Sequence, residues 1–307
     1  MKWRLALAAL AACTPVLACI HPPAGYSGSV EQGGQEAIVF WNQGREELVV
    51  KNDFRIVPGP DGGLPGRIAW VIPLPAAPDH YAVEDVEIFR EMFQAWQERQ
   101  PPLKNDSKGL PRNGIEILEA VSVGEYEIQP IRATGEEGAK ALGEWLAENG
   151  FGEIPAANMA WYVERSWVWL AVEVSAARGE ESLVRNGSLR PLRVSFATAD
   201  IVYPVLFSAG KGSFDVSLYV VTAEEIEGVH AAARSFGFSV DGEIPMALPD
   251  GVEAIQRRAD QEGAWKPIRT PVVTRIVGRG VNGERNRLSS WTQDFRISTA
   301  PAGEKGN

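Results

Sequence analysis

Cysteine is nearly absent from this chain: its 307 residues hold two, Cys13 and Cys19, beside only three histidines and four methionines. If a leader is cut after Ala18, Cys19 stands alone and no intrachain disulfide can form, so stability must come from a packed core. His21, His80 and His230 have no His or Cys neighbour at ligand spacing, so no metal site is expected, and no motif calls for a cofactor. A G-x-S-x-G nucleophile elbow is missing as well. So is any apolar run of the roughly 20 residues that a membrane helix needs. Basic residues are outnumbered, 30 against 40 acidic, for a formal net charge of −10. Such a surface repels phosphate backbones, and nucleic acid is not an expected partner.

What is present begins with a leader. Met1-Lys2-Trp3-Arg4 followed by Leu5 to Ala12 pairs a basic start with a short apolar segment, and Val16-Leu17-Ala18 suits a peptidase. Residues 1–18 therefore read as a signal peptide and the mature chain as starting at Cys19. Cleavage after Ala18 by the ordinary peptidase and before Cys19 by the lipoprotein peptidase cuts the same bond. Leu17 is bulkier than the residue usual at that place in a lipobox. A lipid anchor on Cys19, the one expected route to a membrane, and a free amino terminus both stay open. Residues 19–34, rich in Pro, Gly and Ser, read as an extended tether.

From Gln35 to Ser298 the pattern is that of one large β-rich domain, with 101–113 as a polar linker or long loop that would mark two lobes, and 299–307 as a tail. Ala37–Trp41 and Glu47–Lys51 predict a hairpin, and Arg67–Pro73 a strand that Pro73-Leu74-Pro75 ends or pushes to an edge. Val83, Val86, Phe89, Phe93 and Trp96 recur at helical spacing. Strands follow at about 115–121 and 125–131, then a helix from Thr134-x-x-Glu137 to Asn149-Gly150. Further strands are expected at 168–174, 192–197, 202–208, 214–221, 272–277 and 295–298, with helices at 155–164, 222–234 and 250–259. Helices inserted between sets of strands, without regular alternation, favour an α+β fold of mainly antiparallel sheets.

Five features invite a chemical reading. Gly278-Arg279-Gly280-Val281-Asn282-Gly283 is a literal G-x-G-x-x-G after a strand, but only Glu284 to Asn307 follow it, with no helical stripe, so a strand-to-strand loop is the better reading. Glu84-Asp85-Glu87 and Glu224-Glu225-Glu227 supply the carboxylates a glycosidase would need, yet both sit at expected helix starts, where negative charge is favourable. Trp167, Trp169 and Glu173 share one face of a strand, the indoles about 7 Å apart. That face is either a stacking platform for a sugar or peptide or a face covered by a helix. His80, on an expected exposed loop, is the best acid/base candidate of the histidines. Arg257, Arg258, Lys266, Arg269, Arg275, Arg279, Arg285, Arg287 and Arg296 crowd the C-terminal part, as an anion site or as partners for the acidic remainder.

Taken in order, Ala18–Pro23, Gln35–Phe40, Gly44–Leu48, Ala69–Pro75, Tyr162–Arg165, Trp167–Val172 and Pro191–Phe196 resemble the exported bacterial proteins grouped as the domain-of-unknown-function family numbered 2330. The likeness extends to about Thr274-Arg275. It implies bacterial origin, export and an extracytoplasmic place, and it carries no reaction and no catalytic residues. The expectation is a non-enzymatic binding or structural module of the envelope, holding an envelope protein or a glycan. The alternative is a hydrolase of an envelope polymer using paired carboxylates.

Overall fold

The computed structural model describes residues 20–23, 25–99, 114–135, 137–151, 154, 156–175, 187, 189–208, 213–282 and 294–298. The leader, Cys19, the 101–113 segment, Gly283, Arg285, Arg287 and the 299–307 tail lie outside the described residues.

The expected hairpin is present within longer strands, β2 (Ser29–Asn42) and β3 (Arg45–Val57). Its two-residue turn, Gln43-Gly44, has φ of 52° and 78°. Positive φ at both positions matches the twist of the flanking strands. The described residues of the expected 19–34 tether include strand at both ends. Ile20–His21 form β1, sealed from solvent against Ala69 and Trp70 of β4 (Arg67–Leu74), and β2 is already under way at Ser29. Burial of the Ile20 side chain in the core outweighs the loop-forming composition around it. Among the described residues β1 reaches only Ala69 and Trp70, so Pro73 of β4 has β9 (Val168–Ser175) as its described neighbour, with Trp169 opposite it.

His80 is not on a loop: it opens a short strand, β5 (His80–Val83), which leads into helix α1 (Glu87–Gln97). The stripe that α1 buries is Ile88, Phe89, Met92 and Trp96, whereas Val86 and Phe93 are exposed. The helical period was legible, but its phase was shifted by the strand that occupies Val83. Strands β6 (Gly114–Ile117), β7 (Val121–Val123) and β8 (Tyr126–Thr134) follow, then α2 (Gly138–Glu148). Thr134 belongs to β8 and does not cap α2, which has no side-chain cap; Gly150, at φ 86°, ends it as expected. Helix α3 (Ala156–Glu164) precedes β9.

Strand β10 (Leu192–Ala197) matches its expectation, but 202–208 splits into β11 (Asp200–Tyr203) and a 3₁₀ turn (Leu206–Ser208) after Pro204. After β12 (Phe214–Thr222) the expected 222–234 helix shrinks to α4 (Val229–Arg234), with Thr222 bonded to the Glu224 carbonyl instead of capping. Strand β13 (Ser239–Pro245), α5 (Asp250–Gln261), β14 (Val272–Val281) and β15 (Phe295–Ser298) complete the order. Gly278 to Val281 lie inside β14, so this part of the G-x-G-x-x-G run is strand, and neither a phosphate cradle nor a loop; Asn282 follows the strand.

The architecture is α+β and mainly antiparallel. One of the two large sheets has the order β13-β14-β12-β2-β3-β10-β5, with only β2 and β12 parallel; the other runs β1-β4-β9-β8, with β6 and β7 both on the far edge of β8; β11 and β15 pair apart from them as a small antiparallel ribbon. Both sheets draw strands from either side of 101–113. Period two decides the layers: Leu48 and Val50 of β3 face the second sheet, while Val49 between them meets α1 and α5. Helices α2 and α3 cover the opposite outer face, giving four layers, helix, sheet, sheet, helix. β5 and the β6–β7 edge end the two sheets on the same side of the stack, where β5 touches β7.

Candidate functional site

The tryptophan face is closed. Trp167 and Trp169 are 3% and 0% exposed, packed edge-on against Tyr162 and Trp161 of α3 and against Phe207. Aromatic rings contribute more apolar area than most side chains, and a nearby helix removes that area from water. No stacking platform is available there, and Glu173 at its end pairs with Arg67 at 2.7 Å.

The first carboxylate cluster serves the fold. Glu84 is buried and binds Arg193 at 2.8 Å and also Arg258, while Asp85 accepts the Glu87 amide at 2.9 Å at the start of α1. Arg193 itself is 1% exposed and reaches Glu47, Glu84 and Glu262, tying β10 to β3, to the β5–α1 junction and to α5. Glu224, Glu225 and Glu227 rim a hollow of about 400 Å³ beside Trp41 and Ile201. Burial raises several carboxyls above their ordinary pKa, and two of them, Glu46 and Asp294, are wholly enclosed and accept backbone amides. Neither reaches a cleft. The C-terminal arginines likewise meet carboxylates: Arg258 with Glu84, Arg275 with Asp241, Arg279 with Asp215 and Arg296 with Asp200.

His80 is different. With Asp79, Tyr81 and the backbone of 77–78 it forms one wall of a groove of about 690 Å³; residues 118–123 form the other, with Pro130 also lining it. That volume falls within the range of binding clefts. The walls are strand edges. β5 pairs only with β10 and β7 only with β8, so each presents one unpaired backbone edge among the described strands. Between them Ala77, Tyr81, Leu118, Val121 and Val123 are half-buried side chains packed on the inter-sheet core, which is open to solvent along this line. Asp79 and Glu119 stand exposed on the rims, Asp79 paired with Arg45 at 2.6 Å. Burial, with Asp79 nearby, pushes the Tyr81 hydroxyl up to about 12, so it stays neutral.

The groove closes at one end. Gly124, with φ of 56°, follows β7 and meets Val83 so closely that a Cβ there would lie 2.8 Å from the valine Cγ2. Beside it the buried Glu125 pairs with Arg190, whose carbonyl accepts the Tyr126 hydroxyl. His80, a candidate from sequence, therefore lines this groove, and Trp167, Trp169 and Glu173 do not. The sequence reading missed β5 and β7, although Val121-Ser122-Val123-Gly124 carries the alternation and terminal glycine of a short strand and turn. Among the described residues no group of three or more His, Cys, Asp or Glu is placed to hold a metal, and no helix is long and apolar enough to cross a membrane.

No curated protein and no solved structure matches the chain. One family model, described as an uncharacterized protein conserved in bacteria (DUF2330), matches residues 27–240, more than half of the chain and from before β2 into β13. The Ala18–Pro23 and Thr274-Arg275 stretches lie outside that match.

Proposed function

Because the chain belongs to the DUF2330 family of uncharacterised bacterial proteins, we propose its role from its own geometry: a non-enzymatic envelope module that holds an extended segment of another envelope protein between β5 and β7. One observation carries this reading: two strand edges, unpaired among the described strands, end the two sheets on the same side and flank a half-exposed strip of the core. An added strand would pair its main chain with one or both edges and place alternate apolar side chains on Ala77, Tyr81, Leu118 and Val121. The same pairing would protect edges that otherwise invite aggregation. Polar side chains of the guest would face the rims, where Asp79 and Glu119 and an overall charge of −10 favour lysine and arginine.

Export rests on the basic start and short apolar segment of residues 1–18, and attachment to a membrane on Cys19. A glycan is a poorer guest, since the paired indoles that would stack on it are covered. Hydrolysis by paired carboxylates has no comparable support, because the carboxyls whose proton affinity burial raises most are sealed within the fold.

A library of displayed decapeptides, selected on the protein and remade synthetically, tests the reading by fluorescence polarisation. Selected peptides should alternate apolar and polar residues. N-methylation of alternate backbone amides should weaken them at least tenfold. Equal binding by the N-methylated peptides on both alternate sets would overturn main-chain pairing.

A further inference from the structure

Asp294 lies at the foot of β15 with 0% exposure, and among the described residues every group that hydrogen-bonds its carboxyl is a donor. Oδ1 accepts the amides of Val205 at 2.9 Å, Leu206 at 3.0 Å and Phe295 at 2.8 Å. Oδ2 accepts the hydroxyl of Tyr162 on α3, and the Tyr162 oxygen in turn accepts the Phe207 amide at 2.9 Å. One carboxyl thus joins three segments distant in sequence: α3, the 3₁₀ turn and the C-terminal strand.

We infer that Asp294 is a proton-operated clasp, whose hydrogen bonds to the 3₁₀ turn, to α3 and to its own strand rearrange when the carboxyl gains or loses its proton. The geometry supplies the reason. A carboxylate can satisfy all four donors, whereas a protonated carboxyl brings a fifth hydrogen into a ring of donors and displaces at least one of them. Burial opposes the charge, and the four donors offset that only in part, which leaves the pKa at about 7.

The charged groups on the elements packed around the clasp are engaged elsewhere: Arg165 with Glu164 on α3, Arg296 of β15 with Asp200 of β11, and Glu173 of β9 with Arg67. The Tyr203 hydroxyl on β11 donates to Gln35 at 3.0 Å, and His230 on α4 faces Glu243. Tyr162 also touches Trp167 and Trp169, so a turn of its hydroxyl is felt within the aromatic cluster that holds α3 to β9. The folded chain holds this proton more tightly than an unfolded aspartic acid, so the group's contribution to folding stability falls as pH rises toward the folded pKa, while the ionised carboxyl above it keeps all four hydrogen bonds and the protonated one below it gives up at least one.

Amide ¹H–¹⁵N shifts of Val205, Leu206 and Phe295 in the folded protein, followed from pH 5 to 9, test this directly. They should move together with a midpoint near 7, and Asp294→Asn should abolish the movement while keeping an acceptor at the Oδ1 position. Tyr162→Phe removes one donor to the carboxylate and should raise the midpoint. Flat shifts in the wild-type protein, or a titration that persists in Asp294→Asn, overturn the clasp. Should Asp294→Asn fail to fold, Tyr162→Phe decides: an upward shift supports the clasp and an unmoved midpoint contradicts it.

Discussion

Gly124 and Val83 meet where the two sheets converge, and a Cβ on the glycine would stand 2.8 Å from the valine Cγ2. This contact closes the groove at one end, and it exists because residue 124 has no side chain and adopts φ of 56°. Gly124→Ala should cost about 1–3 kcal/mol, read as a lower urea midpoint. Adding Val83→Ala should recover part of the loss, because the clash goes while the backbone strain stays. Strict additivity of the two substitutions would contradict the contact.

The buried guanidinium of Arg193 makes the second prediction. Its removal in Arg193→Met leaves Glu47 and Glu84, both under 7% exposed, without their shared cation. A loss of about 3–5 kcal/mol in urea unfolding is expected. Glu262, 35% exposed at its side chain, should matter much less, and Glu262→Gln should stay within about 1 kcal/mol.

Glu46 yields a pH dependence with a defined sign. It is fully enclosed; Oε2 accepts the Val202 amide at 2.9 Å, Oε1 has no hydrogen-bond partner among the described residues, and burial raises its pKa well above the ordinary value despite that amide. Below the unfolded-state pKa of about 4.3 both states carry the proton and the group has no ionic cost. As pH rises, the unfolded chain releases its proton first, so this contribution to stability falls until the folded pKa is passed. Glu46→Gln mimics the protonated form. It should leave the urea midpoint unchanged near pH 4 and raise it at pH 8; an equal effect at both values would refute the assignment.

The indoles test the covered face. Trp169→Ala removes a side chain with 0% exposure and should cost about 3–5 kcal/mol of stability. Whatever fraction remains folded should bind a selected decapeptide with unchanged affinity. Weaker peptide binding by the folded fraction would return Trp169 to the list of binding residues.

Much of the fold was legible because it follows period and punctuation. The β2–β3 hairpin, β10 and the end of α2 at Gly150 declare themselves through alternation or a residue suited to positive φ. What was hidden depends on partners far away in sequence. Ile20–His21 resemble a tail until β4 supplies an edge, and Trp167-Val168-Trp169 reads equally as platform or core until α3 is placed over it. His80 was recognisable as a rare titratable side chain, yet its place in the groove is set by two strands of four and three residues. Segments so short carry almost no periodic signal. Asp294 gave no sign at all, since its role comes from amides about 90 residues earlier.

Amide hydrogen exchange, with and without a saturating selected decapeptide, tests strand addition most directly. Exchange should slow at least tenfold within His80–Val83, within Val121–Val123 or in both, while the opposite edge at β13 stays unchanged. Protection at β13 or on the helical faces, with both groove edges exchanging as before, would contradict the account.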